Sequence, residues 1–293
     1  MIDDSLIILA GGLSSRMKKQ LSANVLLTDE EKQQSNKRSK SLISIGNNGR
    51  PLMDYLLYNA KKAGYLTIYI VTGKENTLFK TFYGAKNSGN NFNKLTINYV
   101  VQSIPKDRVK PFGTADAVYQ AYLQYPELKN KNFTVCNSDN LYSVKTLQLL
   151  REFTSAPNAL ISYDRNSLQF SEERISKFAL MQFDKHQYLI DIIEKPSSNK
   201  ISKFADTSGI LRVSMNIFKF DGSLFFEYIK NCPINLERNE KELPTALLNM
   251  VKGNLNSVIG IPIAEHVPDL TSKEDIFILK KYIKKNYKQQ LEW

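Results

Sequence analysis

The sequence predicts an α/β fold: a mixed, mainly parallel sheet flanked by helices, with a smaller antiparallel subregion in its second half. Three observations predict it. Through about residue 165, short β-branched runs alternate with segments of helical period, the pattern of a parallel sheet covered on both faces. Beyond that point, two closely spaced strand-like runs read as an antiparallel pair. The chain has 293 residues, 42% of them hydrophobic, enough for a sizeable core.

The elements follow in order. Strands are expected at Leu6–Ala10, Thr67–Thr72, Leu95–Val101, Phe133–Cys136 and Ala159–Tyr163, with helices at Leu52–Ala63, Thr114–Tyr125 and Lys145–Phe153 between them. Phe178–Asp184 and Tyr188–Ile193 read as the antiparallel strands, followed by one strand over Leu211–Phe220. Helices are expected at Ser223–Lys230, Leu243–Val251 and Lys273–Lys285, and a late strand at Leu255–Ile261. Residues 17–41 are polar and rich in Lys, Gln and Ser. Thr28-Asp29-Glu30-Glu31 has capping-box spacing, so a short helix is expected to start there. A segment of this length suggests a mobile flap. No internal repeat is visible.

Composition excludes several classes. No stretch approaches the roughly 18 apolar residues of a membrane span. The acidic start, Met1-Ile2-Asp3-Asp4, does not read as a secretory signal. Cys136 and Cys232 lie far apart and form no Cys-x-x-Cys pair, which implies free thiols and a cytoplasmic location. The formal charge of +11 favours anionic partners. Lys280, Lys281, Lys284, Lys285 and Lys288 recur at helical spacing beside Ile278, Leu279, Tyr282 and Ile283, as on a solvated helix face. No nucleic-acid motif accompanies them. With only His186 and His266 present, no Ser-His-Asp set or His-rich metal site can be assembled.

The chemistry starts where the first strand ends. Leu9-Ala10-Gly11-Gly12 runs into Ser14, Ser15 and Arg16. Glycines there let the backbone turn and approach a ligand closely. Successive N–H groups then form an anion-binding concavity, and a guanidinium suits phosphate oxygens. The pattern is neither Walker A nor Gly-x-Gly-x-x-Gly. Alone it reads equally as a phosphate cradle or an ordinary turn, but ligands bind at the carboxyl ends of parallel strands. Four further clusters follow: Ser39-Lys40-Ser41-Leu42; Gln102 with Gly113-Thr114-Ala115; Asn137-Ser138-Asp139-Asn140; and Glu194-Lys195-Pro196.

Together these residues resemble the sugar-1-phosphate nucleotidylyltransferase family. Leu9–Met17 is similar to its Leu-Ala-Gly-Gly-x-Gly-x-Arg-Met/Leu signature, and the four clusters to its Lys-x-Leu, Gly-Thr-Ala, Gly-Asp-Asn and Glu-Lys-Pro elements. All five stand in family order from residue 5 to about 260. The resemblance implies one Rossmann-like nucleotidyltransferase domain over 1–293. Its nucleotide-binding half is 1–165, its sugar-binding half 166–260, and a helical tail spans 261–293. It implies Mg²⁺-dependent attack of a sugar 1-phosphate on the α-phosphorus of an NTP, releasing pyrophosphate and forming an NDP-sugar. Homo-oligomer formation stays open; no membrane or nucleic-acid partner is expected.

The resemblance also distributes roles. Arg16, Lys40 and Asp139 become the catalytic set: Arg16 on the triphosphate, Lys40 between the two phosphates, Asp139 on the metal. Leu9, Ala10, Gly11, Gly12, Gln102, Gly113 and Thr114 hold the nucleotide, and Gln102 can offer a base both a donor and an acceptor. Asn140, Glu194, Lys195 and Asn216 hold the sugar phosphate. Asp221, at the end of Asn216–Phe220, is the matching position for a second metal carboxylate; a helix N-cap is its alternative reading. Four departures stand out: Ser14 and Ser138 replace usual glycines, Ala179 replaces a frequent sugar-contacting glycine, and Val213–Asn216 lacks the Asn-x-Gly-x-Tyr form. These put the acceptor's identity in doubt, so two alternatives stand. One is a cytidylyltransferase acting on phosphocholine or a polyol phosphate. The other is a non-catalytic, nucleotide-sugar-binding regulator.

Overall fold

The computed structural model describes residues 4–12, 14, 16–18, 27–194, 201 and 203–293. The first half runs β1 (Ser5–Leu9), α1 (Asp29–Lys37), α2 (Leu52–Lys62), β2 (Thr67–Thr72), α3 (Thr77–Tyr83), β3 (Asn90–Phe92), β4 (Leu95–Val101), α4 (Thr114–Gln124), β5 (Asn132–Asn137), α5 (Val144–Glu152) and β6 (Asn158–Asp164). Every strand and helix expected there is present. The short α3 and β3 were not legible from periodicity. α1 starts at the capping box: Thr28 Oγ1 accepts from Glu31 N at 3.2 Å, and Glu31 Oε2 accepts from Thr28 N at 2.7 Å.

The second half runs α6 (Glu172–Ile175), β7 (Leu180–Phe183), β8 (Leu189–Ile193), β9 (Arg212–Val213), β10 (Ile217–Asp221), α7 (Gly222–Lys230), α8 (Leu243–Gly253), β11 (Val258–Ile263) and α9 (Glu274–Asn286). β7 and β8 are antiparallel neighbours, as the sequence suggests. The single strand expected over Leu211–Phe220 is instead two. β6 pairs Tyr163 with Val213 and Leu160 with Phe218, so residues 214–216 bulge from the ladder. Asn216 makes the bulge with a left-handed φ of 55°, which asparagine tolerates well.

Among the described residues, eleven strands join one sheet in the order β3-β4-β2-β1-β5-β10-β6-β9-β7-β8, with β11 on β6. β4, β2, β1 and β5 run parallel, so their carboxyl ends share one edge. β10 lies between β5 and β6 and runs antiparallel to both. Its start therefore reaches the same edge as the end of β5, and its end reaches the opposite edge. Strand alternation sends Leu6 and Ile8 to one core layer and Ile7 to the other. α2 and α5 supply Leu56 and Leu147 to the first layer; α4 and α8 supply Val118 and Leu247 to the second. Among the described residues, no helix is long and apolar enough to cross a membrane.

Candidate active site

The carboxyl edge of the parallel strands opens into two adjoining cavities. One, of about 560 Å³, is walled by Gly11, Gly12, Arg16, Lys40, Gln102, Gly113 and Asp139, among others. The other, of about 850 Å³, includes Asn140, Ala179, Glu194, Asn216 and Asp269 in its wall. Leu9, Arg16, Thr114, Asn137, Asp139 and Glu240 line both. The cavities therefore meet at Arg16 and Asp139.

Backbone pairing fixes this arrangement. Ala10 N donates to Val71 O at 2.8 Å, and Ser138 N donates to Leu9 O at 3.2 Å, so the turns after β1 and β5 lie side by side. Gly11 and Gly12 then project beyond the ladder. A Cβ on Gly12 would meet no protein atom, which leaves room for a ligand over the backbone. Ser14 holds the turn at φ 55°, the conformation a glycine would take there at no steric cost. Lys40 sits in a short 3-10 turn, Lys40–Leu42, and its Nζ donates to Asp139 Oδ2 at 2.9 Å. Arg16 is exposed at the mouth of both cavities.

The base side is built from β4 and the first turn of α4. Gln102 is 4% exposed; its Nε2 donates to Gly113 O at 2.9 Å and to Asp116 Oδ2 at 2.8 Å. Both amide hydrogens are thus spent within the protein, and Gln102 keeps only its acceptor for a ligand. Gly113 has φ 102°, and a Cβ there would collide with the Lys241 carbonyl. That carbonyl accepts from Ala115 N at 2.9 Å, and Lys241 N donates to Phe112 O at 2.8 Å. Lys110 Nζ reaches Glu240 at 2.7 Å, and Arg108 holds Asn239. The loop before α8 is therefore fastened to the loop before α4. Thr114 Oγ1 accepts from Leu243 N at 2.9 Å, a further link of the same kind.

The acceptor side departs from expectation in two places. Asp221 is the N-cap of α7: its Oδ1 accepts from Ser223 N at 2.9 Å and Leu224 N at 3.0 Å. It pairs with Asn132, five residues from Asn137 along β5, which puts it about 16 Å from the cleft edge. The metal role assigned to Asp221 is corrected accordingly. Asp269, which the sequence reading did not single out, takes the place beside Asp139. Asn140 bridges to Asp269, and Leu270 N donates to Asp139 O at 2.8 Å. Burial holds the Asp269 carboxyl above the usual carboxylate range, and the charge of Asp139 adds to this. Thr271 and Arg174 oppose the rise: Thr271 Oγ1 donates to Asp269 Oδ2 at 2.7 Å and Arg174 Nη2 donates to it at 2.5 Å.

The remaining acceptor residues sit as follows. Asn140 is buried, and its Oδ1 accepts from Tyr142 Oη at 3.3 Å. Asn216 opens into the larger cavity from the bulge before β10. Glu194 lines it too, but is ion-paired with Arg238 at 2.6 Å. Arg238 also holds Glu242 at 2.5 Å. Lys195 lies outside the described residues, as do residues 19–26 of the expected flap; the rest of that segment includes α1, whose Glu31 is ion-paired with Lys280 of α9.

A family model described as nucleotidyl transferase matches residues 33–258. The glucose-1-phosphate adenylyltransferase of Aliivibrio fischeri is 27% identical over 219 residues, covering 73% of this chain and 48% of that protein. The bifunctional protein GlmU of Staphylococcus epidermidis is 23% identical over 248 residues, covering 84% of this chain and 45% of that protein. The chain thus spans about half the length of the curated relatives it matches. A crystal structure of UDP-glucose pyrophosphorylase complexed with UDP-glucose superimposes with a TM-score of 0.68 at 17% identity, covering 98% of this chain and all of the other. That likeness establishes the shared fold.

Proposed function

The chain belongs to the nucleotidyl transferase family, and on that footing we propose that it transfers a nucleotidyl group from an NTP to a sugar 1-phosphate. The observation that carries this reading is the meeting of two cavities at Arg16 and Asp139, with Lys40 ion-paired to Asp139 from the smaller one. A reaction between two anions needs two compartments that share a charged boundary. The adenylyltransferase relatives act, by name, on glucose 1-phosphate, which supports a sugar 1-phosphate as acceptor.

In this reading the smaller cavity takes the nucleotide and the larger the acceptor. A phosphate oxygen of the acceptor attacks the α-phosphorus, the α–β bridging bond breaks, and pyrophosphate leaves with the electron pair. No covalent enzyme intermediate is required. The protein's work is alignment and charge neutralisation. Backbone N–H groups after β1 cradle the phosphate chain, Arg16 holds its distal part, and Lys40 faces the crowded α-phosphate. Lys40 is already fixed against Asp139, so it enters the reaction oriented.

Asp139 and Asp269 would hold a divalent cation, which we propose to be Mg²⁺. The donor chemistry fits: two adjacent carboxylates, completed by phosphate oxygens and water, are the usual magnesium set. Among the described residues, no group of three or more His, Cys, Asp or Glu side chains forms a protein-only metal cage. When bound, the ion supplies positive charge to the α-phosphate oxygens. The test is a matrix of the common NTPs and dNTPs against a panel of sugar 1-phosphates, phosphocholine and polyol phosphates, with and without Mg²⁺, read as pyrophosphate release. Mg²⁺-dependent release with a sugar 1-phosphate is the expected result. Release only with phosphocholine or a polyol phosphate would move the acceptor class, and none with any pair would favour a binding role.

A further inference from the structure

We infer that Asp116 sets the direction in which the Gln102 amide faces, so that Gln102 offers a base a hydrogen-bond acceptor alone. This rests on the nucleotide cavity proposed above. Gln102 is anchored at its backbone, where its N–H donates to Thr72 O at 2.8 Å. Its side chain is buried, and its Nε2 is shared between Gly113 O at 2.9 Å and Asp116 Oδ2 at 2.8 Å.

An amide nitrogen carries two hydrogens, and both have protein acceptors here. The reversed amide would press its oxygen against a carbonyl and a carboxylate, three acceptors with no proton among them. A buried arrangement of that kind costs the desolvation of each unpaired group. The orientation is therefore dictated by the partners, and Asp116 is the stronger of the two because its bond is charge-assisted. Gln102 Oε1 then faces Gly11, where a Cβ would lie 3.2 Å from it, and both residues line the smaller cavity.

The consequence is chemical. A base must bring a polar N–H to this oxygen: the imide N–H of uracil or thymine, the N1–H of guanine, or the exocyclic amine of adenine or cytosine. A base with no polar hydrogen has nothing to offer. Asp116 acts through Gln102 and is a positioning residue.

The test uses the full chain with Mg²⁺ and measures nucleotide affinity by calorimetry. UTP is compared with 3-methyl-UTP, and ATP with the triphosphate of unsubstituted purine riboside; each analogue lacks the N–H. Expected is about five- to tenfold tighter binding of whichever parent binds, the size of one net hydrogen bond. Gln102→Met should equalise parent and analogue while triphosphate binding persists. Asp116→Asn should cut the discrimination to about threefold or less, since an uncharged amide no longer enforces one direction. A merely structural role for Asp116 would lower the melting temperature and leave the parent-to-analogue ratio unchanged, which would overturn the inference. Analogues binding as well as parents to the unaltered protein would also overturn it, with nucleotide binding intact. Failure of all of ATP, GTP, CTP, UTP and dTTP to bind would instead remove the nucleotide cavity itself.

Discussion

Ser14 shows how much of the site is carried by single backbone conformations. Its φ of 55° is one that a β-carbon disfavours, and the turn keeps it so that Gly11, Gly12 and Arg16 face the cleft. Ser14→Gly should therefore stabilise the protein by about 1 kcal/mol, read as a raised melting temperature. Arg16→Ala should lower kcat by ~10²–10³, the usual loss for one electrostatic contact to a developing charge. Full turnover by that variant would take Arg16 out of the chemistry. Asp139→Asn and Asp269→Asn should each abolish most Mg²⁺-dependent turnover while leaving the fold melting cooperatively. Arg16, Lys40 and Asp139 were legible because each stands at a fixed offset from a strand end or a short motif. Asp269 was not: Val267-Pro268-Asp269-Leu270 carries no such signal, and its place beside Asp139 exists only after folding.

Among the elements, β10 decides most of what the sequence left open. Its residues announce a strand, but nothing local announces its direction. Running antiparallel to β5, it delivers Asn216 to the cleft and removes Asp221 from it. Asp221 instead caps α7 with two backbone bonds, so Asp221→Ala should cost about 1 kcal/mol of stability and leave turnover unchanged. Thermal melts beside initial rates separate the two outcomes; loss of activity at unchanged stability would restore a role in the chemistry. Local signals performed better at α1, where the capping box is a complete instruction within four residues. α3 and β3 escaped because seven and three residues are too few for periodicity to register.

At the scale of the whole molecule, the parallel half was legible because buried βα repeats leave a strong pattern, and the joining of β7–β11 into the same sheet was not. A half-buried histidine after β11 should make stability depend on pH. His266 packs edge-on against Phe170, and its Nδ1 accepts from Gln169 N at 3.1 Å. Burial, with the charge of Arg174, lowers its pKa to about 4. The unfolded chain binds that proton near pH 6.5, so between these values the unfolded state holds more protons and stability falls as pH falls. The melting temperature should drop on acidification from about 6.5 towards 4, and His266→Gln should flatten that slope. A parallel slope in the variant would assign the acid sensitivity elsewhere. The bridge between Asn140 and Asp269 has a consequence for synthesis as well. Ribosomes deliver the glycine turn early and Asp269 late, so in the proposed reading a polypeptide not yet grown to residue 269 lacks half of its cation site however well its beginning has folded.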